Sequence, residues 1–228
     1  MTTDLVIYGM KGSPFVRKVQ VLLAEKGLEY EFEMASPFPA PDWFKEISPA
    51  KRIPVLRDRS IGSEGVAGTI PDSSAICAYL ERKYPEPPLY PRTDFDYARA
   101  LWFEEYADSE LAARVGLGLF RPLVMAALFG KQPDIERARK TLREDLPPLF
   151  DYLEKSISGR QWLVGDALGI VDIAVATQFV NFHHAGAKLD AARWPSLAAY
   201  IERIHARPSF AACIEVERQL IPTSTVEL

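Results

Sequence analysis

A cluster of prolines divides the sequence into two parts of different character. Four prolines fall within the seven residues Pro85-Glu86-Pro87-Pro88-Leu89-Tyr90-Pro91. Proline lacks a backbone N–H and its ring clashes with the preceding helical turn, so this segment cannot be a helix interior or a central strand. Strand and helix patterns alternate before it, and helical patterns follow it. We therefore predict a first domain over residues 1–83, a linker over 84–93 and a helical domain over 94–228.

The first domain begins with a pattern of strand, tight loop and helix. The run Leu5-Val6-Ile7-Tyr8 has the composition of a strand, and after two glycines apolar residues recur at helical spacing as far as Gly27, with charged residues on the other faces. Ser13 is a preferred N-cap residue, and Pro14 suits the first helical position. A second strand over residues 29–33 completes a βαβ pattern.

The start of this helix is a candidate anion site, with the Ser13 hydroxyl as its central group. The first turn of a helix presents backbone N–H groups that lack intrahelical partners, and it carries a partial positive charge. A capping serine accepts a hydrogen bond from one of these N–H groups and can still donate its own proton outward. The pattern favours stabilisation of an anion such as a thiolate, but a helix cap without a chemical role would use the same residues.

A β-hairpin and another helix complete the predicted first domain. Val55-Leu56 begins a third strand, and Pro54 before it cannot donate to a sheet ladder, which suits a strand start. Thr69-Ile70 can form the return strand after a long, glycine-containing tip. Asp72-Ser73 then opens a helix with a side-chain cap. A short helix is also predicted over residues 42–47.

The second domain is predicted to contain only helices. Residues 94–129 form one long pattern, which we expect Pro122 to kink or break. A second pattern covers residues 134–157 and is interrupted by a double proline. Residues 170–182 are apolar almost all round, which predicts a buried central helix. Two more helices are predicted to begin at Pro195 and Pro208.

Composition and residue types exclude several classes of protein. The chain has 228 residues, of which 48% are hydrophobic and 25% charged, with a net charge of −4 and no basic stripe of the kind that binds nucleic acid. We find no signal-peptide pattern in the sequence, and no stretch has the roughly 18–20 consecutive apolar residues that a membrane-spanning helix needs. Cys77, Cys213 and the histidines show no metal-ligand spacing. We expect a cytoplasmic protein with no metal, no nucleic-acid partner and no membrane partner.

Four short motifs, in order, make the whole chain resemble the cytosolic glutathione transferases. They are Ser13-Pro14-Phe15, Arg52-Ile53-Pro54-Val55-Leu56, Asp72-Ser73, and Gly165-Asp166 with Asp172. The resemblance implies an α/β N-terminal thioredoxin-like domain followed by an all-α helical domain. It also implies glutathione as the co-substrate, a small hydrophobic electrophile as the second substrate, and a homodimer.

The resemblance also implies the roles of individual residues. Ser13 would be the catalytic residue that stabilises the glutathione thiolate, and Tyr8, at the end of the first strand, is the alternative. Glutathione would be held by Phe15, Arg52, Ile53, Pro54, Asp72 and Ser73. Among these, a cis Pro54 would turn the backbone of Ile53 toward the cysteinyl part of glutathione.

The two ends of glutathione would meet polar residues of this set. Arg52 would face the glycyl carboxylate, Ser73 would bind the γ-glutamyl carboxylate, and Asp72 would face the amino group. Each residue also has an ordinary structural interpretation that the sequence leaves open. Asp72 could be only a helix cap, Arg52 part of a solvated loop, Pro54 a trans proline at a strand edge, and Tyr8 a packing residue.

The Asp172 motif is expected to serve folding and not chemistry. In relatives, a serine or threonine three residues earlier caps the helix and completes a capping box. Gly169 occupies that position here, so only the hydrogen bond from the Gly169 N–H to the Asp172 carboxylate can form.

The predicted reaction is attack of the glutathione thiolate on an electrophilic carbon. Two alternatives use the same fold. One is a non-catalytic glutathione-binding or regulatory protein, and the other is a glutathione-dependent isomerase or peroxidase. Serine at position 13 cannot form a mixed disulfide, which disfavours thiol reduction of the glutaredoxin type.

Overall fold

The computed structural model describes residues 3–228. Contacts within the chain divide it into two compact units, Met1–Leu89 and Tyr90–Leu228. The division lies between two residues of the proline-rich segment 84–93.

The described part of the first unit consists of a four-stranded mixed β-sheet and helices. The strands are β1 (Leu5–Gly9), β2 (Glu31–Met34), β3 (Val55–Asp58) and β4 (Thr69–Ile70). The helices are α1 (Pro14–Glu25), α2 (Asp42–Ile47) and α3 (Ser73–Lys83). The strand order is β2-β1-β3-β4, with β1 parallel to β2 and antiparallel to β3, and with β4 antiparallel to β3. The predicted α/β architecture of this part of the chain is confirmed.

Glycine permits the tight connection between β1 and α1. A Cβ atom at Gly9 would lie 2.6 Å from the Val16 side chain, so the end of β1 could not approach α1 this closely with any larger residue. Gly27 has a φ of 64°, in the left-handed region that favours glycine, and it follows α1 as predicted.

The charged residues of α1 are more buried than the helical pattern predicts. Arg17 and Lys18 have no exposed surface, although the pattern puts them outside the apolar face. Lys26 is also buried: its ammonium donates to the carbonyl oxygens of Tyr84 and Pro87, each at 2.8 Å, and pairs with Glu81 at 2.8 Å. Because a buried ammonium needs partners, these contacts connect the end of α1 to α3 and to the proline-rich segment.

A buried carboxylate attaches α3 to the sheet. Asp58, at the end of β3, accepts hydrogen bonds from the Tyr79 hydroxyl at 2.6 Å and from the Lys83 ammonium, both on α3. The Ser60 N–H donates to the same carboxylate at 3.0 Å. Burial alone would raise the pKa of Asp58, but the hydrogen bonds from Lys83, Ser60 and Tyr79 outweigh it and lower the pKa to about 2. The orientation of α3 relative to the sheet therefore depends on the Asp58 carboxylate.

The described part of the second unit is helical, which confirms the predicted all-α domain. Its α-helices are α4 (Asp94–Tyr106), α5 (Ala126–Leu128), α6 (Ile135–Lys140), α7 (Pro147–Ile157), α8 (Ile170–His184), α9 (Pro195–His205) and α10 (Pro208–Leu220). Two segments have π-helical hydrogen bonding, Ala107–Met125 between α4 and α5, and Thr141–Asp145 between α6 and α7.

Of the two outcomes expected at Pro122, a kink or a break, the break does not occur. Helical structure is continuous from Asp94 to Leu128 and passes through Pro122. Over this stretch the hydrogen bonds follow the i→i+5 pattern, and Pro122, which has no N–H, donates none of them. The Pro122 carbonyl accepts from the Asp134 N–H at 3.1 Å.

By length and apolar composition alone, this continuous helix could cross a membrane, which the sequence analysis did not recognise. Its apolar residues, however, include a buried row at four-residue spacing, Leu111, Val115, Leu119 and Leu123. A row of this kind is typical of a helix that packs in a protein core.

The central helix α8 is buried as predicted, and Asp172 fixes its start. The Asp172 carboxylate accepts from the Gly169 N–H at 2.8 Å, the Leu163 N–H at 3.1 Å and the Tyr200 hydroxyl at 2.6 Å. The predicted single bond of the capping box is thus present. Burial raises the pKa of Asp172 to about 6, although these three hydrogen bonds favour the charged form.

We expect Asp172→Ala to destabilise the protein strongly. The substitution leaves two buried N–H groups without an acceptor, and each such loss costs about 1–3 kcal/mol. The free energy of unfolding, measured by urea denaturation, should fall by about 2 kcal/mol or more. Asp166→Ala, in the exposed part of the same loop, is the control and should change it by less than about 0.5 kcal/mol. Equal effects of the two substitutions would show that the Asp172 bonds contribute little.

We expect Asp58 to make stability depend on pH in the acid range. The folded-state pKa of Asp58 lies below 3.8, the ordinary value for an aspartate, so its contribution to stability is nearly complete above pH 4 and is lost as the pH falls toward 2. A pKa of about 2 corresponds to roughly 2.5 kcal/mol. Urea unfolding of wild type and Asp58→Asn between pH 5 and pH 2 should therefore converge at low pH. Asp42→Asn, which removes an exposed carboxylate, should follow the wild-type profile; parallel curves for wild type and Asp58→Asn would refute the assignment.

Candidate functional site

Strand pairing brings the three motifs of the first unit to one edge of the sheet. In the antiparallel pair of β1 and β3, Tyr8 lies opposite Val55, so the end of β1 is beside the start of β3. In the pair of β3 and β4, Leu56 lies opposite Ile70, so the end of β4 is also at this edge. The segments that carry Ser13, Ile53-Pro54 and Asp72-Ser73 therefore leave or enter the sheet at the same edge.

Ser13 is the N-cap of α1. Its backbone is extended, with a φ of −77° and a ψ of 123°, and its hydroxyl oxygen accepts from the Val16 N–H at 3.4 Å. This is a long hydrogen bond, and it uses the oxygen as an acceptor only. The side chain is half-buried, and Phe15, in the first turn of the helix, is also partly exposed. The start of α1 can thus offer both a hydroxyl proton and a positive helix end to an anion.

Tyr8, the alternative to Ser13, lies in the hydrophobic core of the first unit. It is 8% exposed and belongs to a cluster with Val6, Phe44 and Val55. Its ring meets that of Trp43 edge to face, with 5.7 Å between centroids. This environment accounts for an aromatic residue at position 8 by packing alone.

The segment before β3 presents backbone groups and a basic side chain. The Ile53–Pro54 peptide bond is cis, and Pro54 is buried while Ile53 is partly exposed. The Ser48 hydroxyl holds the preceding turn, because it donates to the Arg52 carbonyl at 2.9 Å and accepts from the Arg52 N–H at 3.0 Å. The Arg52 residue is exposed. Within residues 3–228, the Ile53 N–H and carbonyl have no hydrogen-bond partner.

The N-terminus of α3 carries a hydroxyl, that of Ser73, for which the described residues provide no hydrogen-bond partner. Asp72 is the N-cap, and its carboxylate accepts from the N–H groups of Ser74 and Ala75 at 3.0 and 3.1 Å. Ser73 is the first residue of the helix and is 6% exposed, yet its side chain makes no hydrogen bond with any described residue. A carboxylate at this helix end could accept from the Ser73 hydroxyl and N–H.

One charged residue near this helix end was missed by the sequence analysis. The Lys18 ammonium, on α1, donates to the Ser74 hydroxyl at 3.0 Å. Helical periodicity could not reveal it, because that pattern assigns Lys18 to a polar face and says nothing about a second helix covering that face.

The structure thus brings the segments that carry all the predicted site residues to one edge of the sheet. The roles of these residues toward a ligand remain predictions. Tyr8 also lies at this edge but is directed by its packing into the core cluster. Among residues 3–228, no group of three histidine, cysteine, aspartate or glutamate side chains is placed to hold a metal ion. What the edge offers is hydroxyls, backbone groups and helix ends, which suit an anionic, peptide-like ligand.

Comparison with known proteins identifies relatives of both units. Residues 7–88 match the family described as Glutathione S-transferase, N-terminal domain, and residues 119–216 match Glutathione S-transferase, C-terminal domain. The uncharacterised GST-like protein YibF of Escherichia coli is 29% identical over 90% of this chain and 96% of its own.

Solved structures agree with these matches. A glutathione S-transferase from Rhodospirillum rubrum has a TM-score of 0.81 at 29% identity, covering 92% of this chain and 91% of its own. Another, from Methylobacterium radiotolerans in complex with glutathione sulfonate, has a TM-score of 0.73 at 29% identity, covering 93% and 95%. With the fold and the two domain matches, these findings show that the chain belongs to the glutathione S-transferase family.

Proposed function

We propose that the protein is a glutathione transferase that stabilises the thiolate of bound glutathione and directs it to a small hydrophobic electrophile. The observation that carries this proposal is the position of Ser13 at the N-terminus of α1, at the sheet edge that also receives Ile53-Pro54 and Asp72-Ser73. Glutathione binding agrees with membership of the family and with the glutathione sulfonate complex of the Methylobacterium radiotolerans relative.

The proposed chemistry requires only a modest preference for the anion. A free thiol has a pKa near 8.5, and lowering it by about two units needs about 2.7 kcal/mol. A hydrogen bond to a charged group contributes about 1.5–3 kcal/mol, and a helix N-terminus about 0.3–1 kcal/mol. The Ser13 hydroxyl and the start of α1 are sufficient together. The thiol proton passes to solvent, the thiolate sulfur forms the new bond to carbon, and the electrophile's leaving group departs with its electron pair.

Glutathione is proposed to lie along the sheet edge in an extended conformation. The Ile53 N–H and carbonyl would pair with its cysteinyl residue as an added strand does. Arg52 would meet the glycyl carboxylate, and Phe15 would contact the ligand near Ser13. At the other end, Ser73 would bind the γ-glutamyl carboxylate, with the amino group near Asp72.

Further parts of the proposal rest on the resemblance and on composition. We propose that the protein is a cytoplasmic homodimer and that no metal takes part. The alternatives, a glutathione-binding protein without catalysis and a glutathione-dependent isomerase or peroxidase, share the same ligand site. A panel of electrophiles, isomerase substrates and peroxides, assayed with glutathione, separates them by which substrate turns over.

We expect Ser73→Ala to weaken glutathione binding. The Ser73 hydroxyl is buried and makes no hydrogen bond with the described residues. The only hydrogen bond that its removal would break is therefore the proposed one to the ligand carboxylate. Loss of a hydrogen bond to a charged group costs roughly 1–3 kcal/mol, about 5- to 150-fold in Kd. Calorimetric titration with glutathione measures this change. Ser63→Ala, in the exposed hairpin loop, is the matched control, and an unchanged Kd for Ser73→Ala would remove Ser73 from the site.

We expect Ser13→Ala to slow conjugation at neutral pH with little change in glutathione affinity. Loss of one charge-assisted hydrogen bond raises the pKa of the bound thiol by about 1–2 units, so the thiolate fraction, and with it the rate with an aryl halide at pH 7, should fall about 2- to 25-fold from a wild-type pKa of about 6–6.5. The rate should recover partly at high pH, where solvent accepts the thiol proton. Rates measured across pH 6–9 give this profile.

The control for Ser13 is Tyr8→Phe, which keeps the packing of the ring and should leave the pH profile unchanged. A shifted profile in Tyr8→Phe with none in Ser13→Ala would assign thiolate stabilisation to Tyr8. If neither substitution shifts it, the backbone N–H groups at the start of α1 stabilise the thiolate alone.

A further inference from the structure

A closed turn comes immediately before the cis-proline segment of the candidate site. Residues 48–51 form a β-turn, in which the Lys51 N–H donates to the Ser48 carbonyl at 2.8 Å and proline occupies the second position. The Ser48 hydroxyl also bonds both backbone groups of the next residue, Arg52, at 2.9 and 3.0 Å. Because Arg52 directly precedes Ile53, this turn sets the course of the backbone at Ile53.

The turn contains a residue in a strained backbone conformation. Among residues 3–228, Lys51 is the only residue other than glycine with a positive φ, at 53°. In the left-handed region the Cβ atom lies too close to the following carbonyl oxygen, so a lysine stays there only where other interactions hold it. Ser48 supplies such interactions on both sides of Lys51, because its carbonyl accepts from the Lys51 N–H and its hydroxyl holds the backbone of Arg52.

Ser48 is anchored to the hydrophobic core of the first unit. It has no exposed surface, and its N–H donates to the Phe44 carbonyl at 2.8 Å, at the end of α2. Phe44 is fully buried and belongs to the same hydrophobic cluster as Val55. Lys51 and Arg52, in contrast, are exposed. The core therefore fixes one side of the turn, and the Ser48 hydroxyl connects the exposed side to it.

We propose that Ser48 is a positioning residue that holds Lys51 in the left-handed conformation and thereby presents the Ile53 backbone to the cysteinyl residue of the ligand. Without the Ser48 hydroxyl, the turn opens for part of the time, because Lys51 is more stable outside the left-handed region. The ligand then binds only the closed fraction, and its affinity falls in proportion. The inference rests on the proposed function, because it takes glutathione as the ligand. It adds that a buried serine, without touching the ligand, preorganises the backbone that binds it.

Two substitutions of Lys51 separate the backbone conformation from the side-chain charge. Lys51→Gly and Lys51→Val both remove the ammonium, but glycine adopts the left-handed region readily and a β-branched residue strongly disfavours it. We expect Lys51→Gly to keep the Kd for glutathione within about threefold of wild type and Lys51→Val to raise it at least about fivefold. Calorimetric titration with glutathione measures both values.

Substitution of Ser48 tests the positioning role itself. Ser48→Ala removes both hydrogen bonds to Arg52, and we expect it to raise the Kd for glutathione about 5- to 30-fold. The double substitution Ser48→Ala with Lys51→Gly should bring the Kd back to within about threefold of wild type, because glycine keeps the turn closed without the hydroxyl. Ser63→Ala, in the exposed hairpin loop, is the control and should leave the Kd unchanged, and thermal unfolding verifies that each variant is folded.

Two results would overturn the inference. One is an unchanged Kd for glutathione in Ser48→Ala, and the other is a loss of affinity that Lys51→Gly does not restore. If Ser48→Ala does not fold, the comparison of Lys51→Gly with Lys51→Val decides, and equal Kd values for these two variants would contradict the role. Failure of wild type to bind glutathione at all would instead refute the proposed function.

Discussion

The antiparallel pairing of β1 with β3 is the constraint on which the candidate site depends. Because Tyr8 lies opposite Val55, the loop that leads to α1 and the cis Ile53–Pro54 bond meet at one edge of the sheet. β4 pairs with the other side of β3 and delivers the start of α3 to the same edge. A slip of one residue between β1 and β3 would turn the core residues of β1 to the wrong face, so the hydrophobic cluster and the site specify the same register.

The two helix ends that would hold the proposed anionic ligand are positioned by different interactions. The end of α1 carries Ser13, whose hydroxyl accepts only a long hydrogen bond from the helix. The N-terminal end of α3 is capped by Asp72, and the Asp58 carboxylate on β3 holds the later part of the same helix through Tyr79 and Lys83. Interactions that stabilise the fold thus also set the geometry of the candidate site. A substitution that changes these interactions is therefore expected to change both stability and binding.

Local signals predicted the ends of elements well, because caps, glycines and prolines act within a few residues. Ser13, Asp72 and the Asp172–Gly169 bond are examples, since each depends on side-chain and backbone groups close in sequence. The burial of Arg17 and Lys18 could not be predicted, because a helical pattern records one apolar face and not the elements that cover the others. The i→i+5 bonding of the helix around Pro122 was not predicted, because the sequence pattern there indicates only a helix and not its hydrogen-bond type.

In the proposed mechanism, the start of α1, with Ser13, lowers the pKa of a bound thiol. The most direct test is an ultraviolet titration of the thiolate absorbance of glutathione bound to the wild-type protein. Stabilisation of the thiolate by Ser13 and the helix end predicts an apparent pKa of about 6–6.5, roughly two units below that of a free thiol. A bound thiol that titrates at about 8.5 or above would contradict it, because the site would then bind glutathione without activating it.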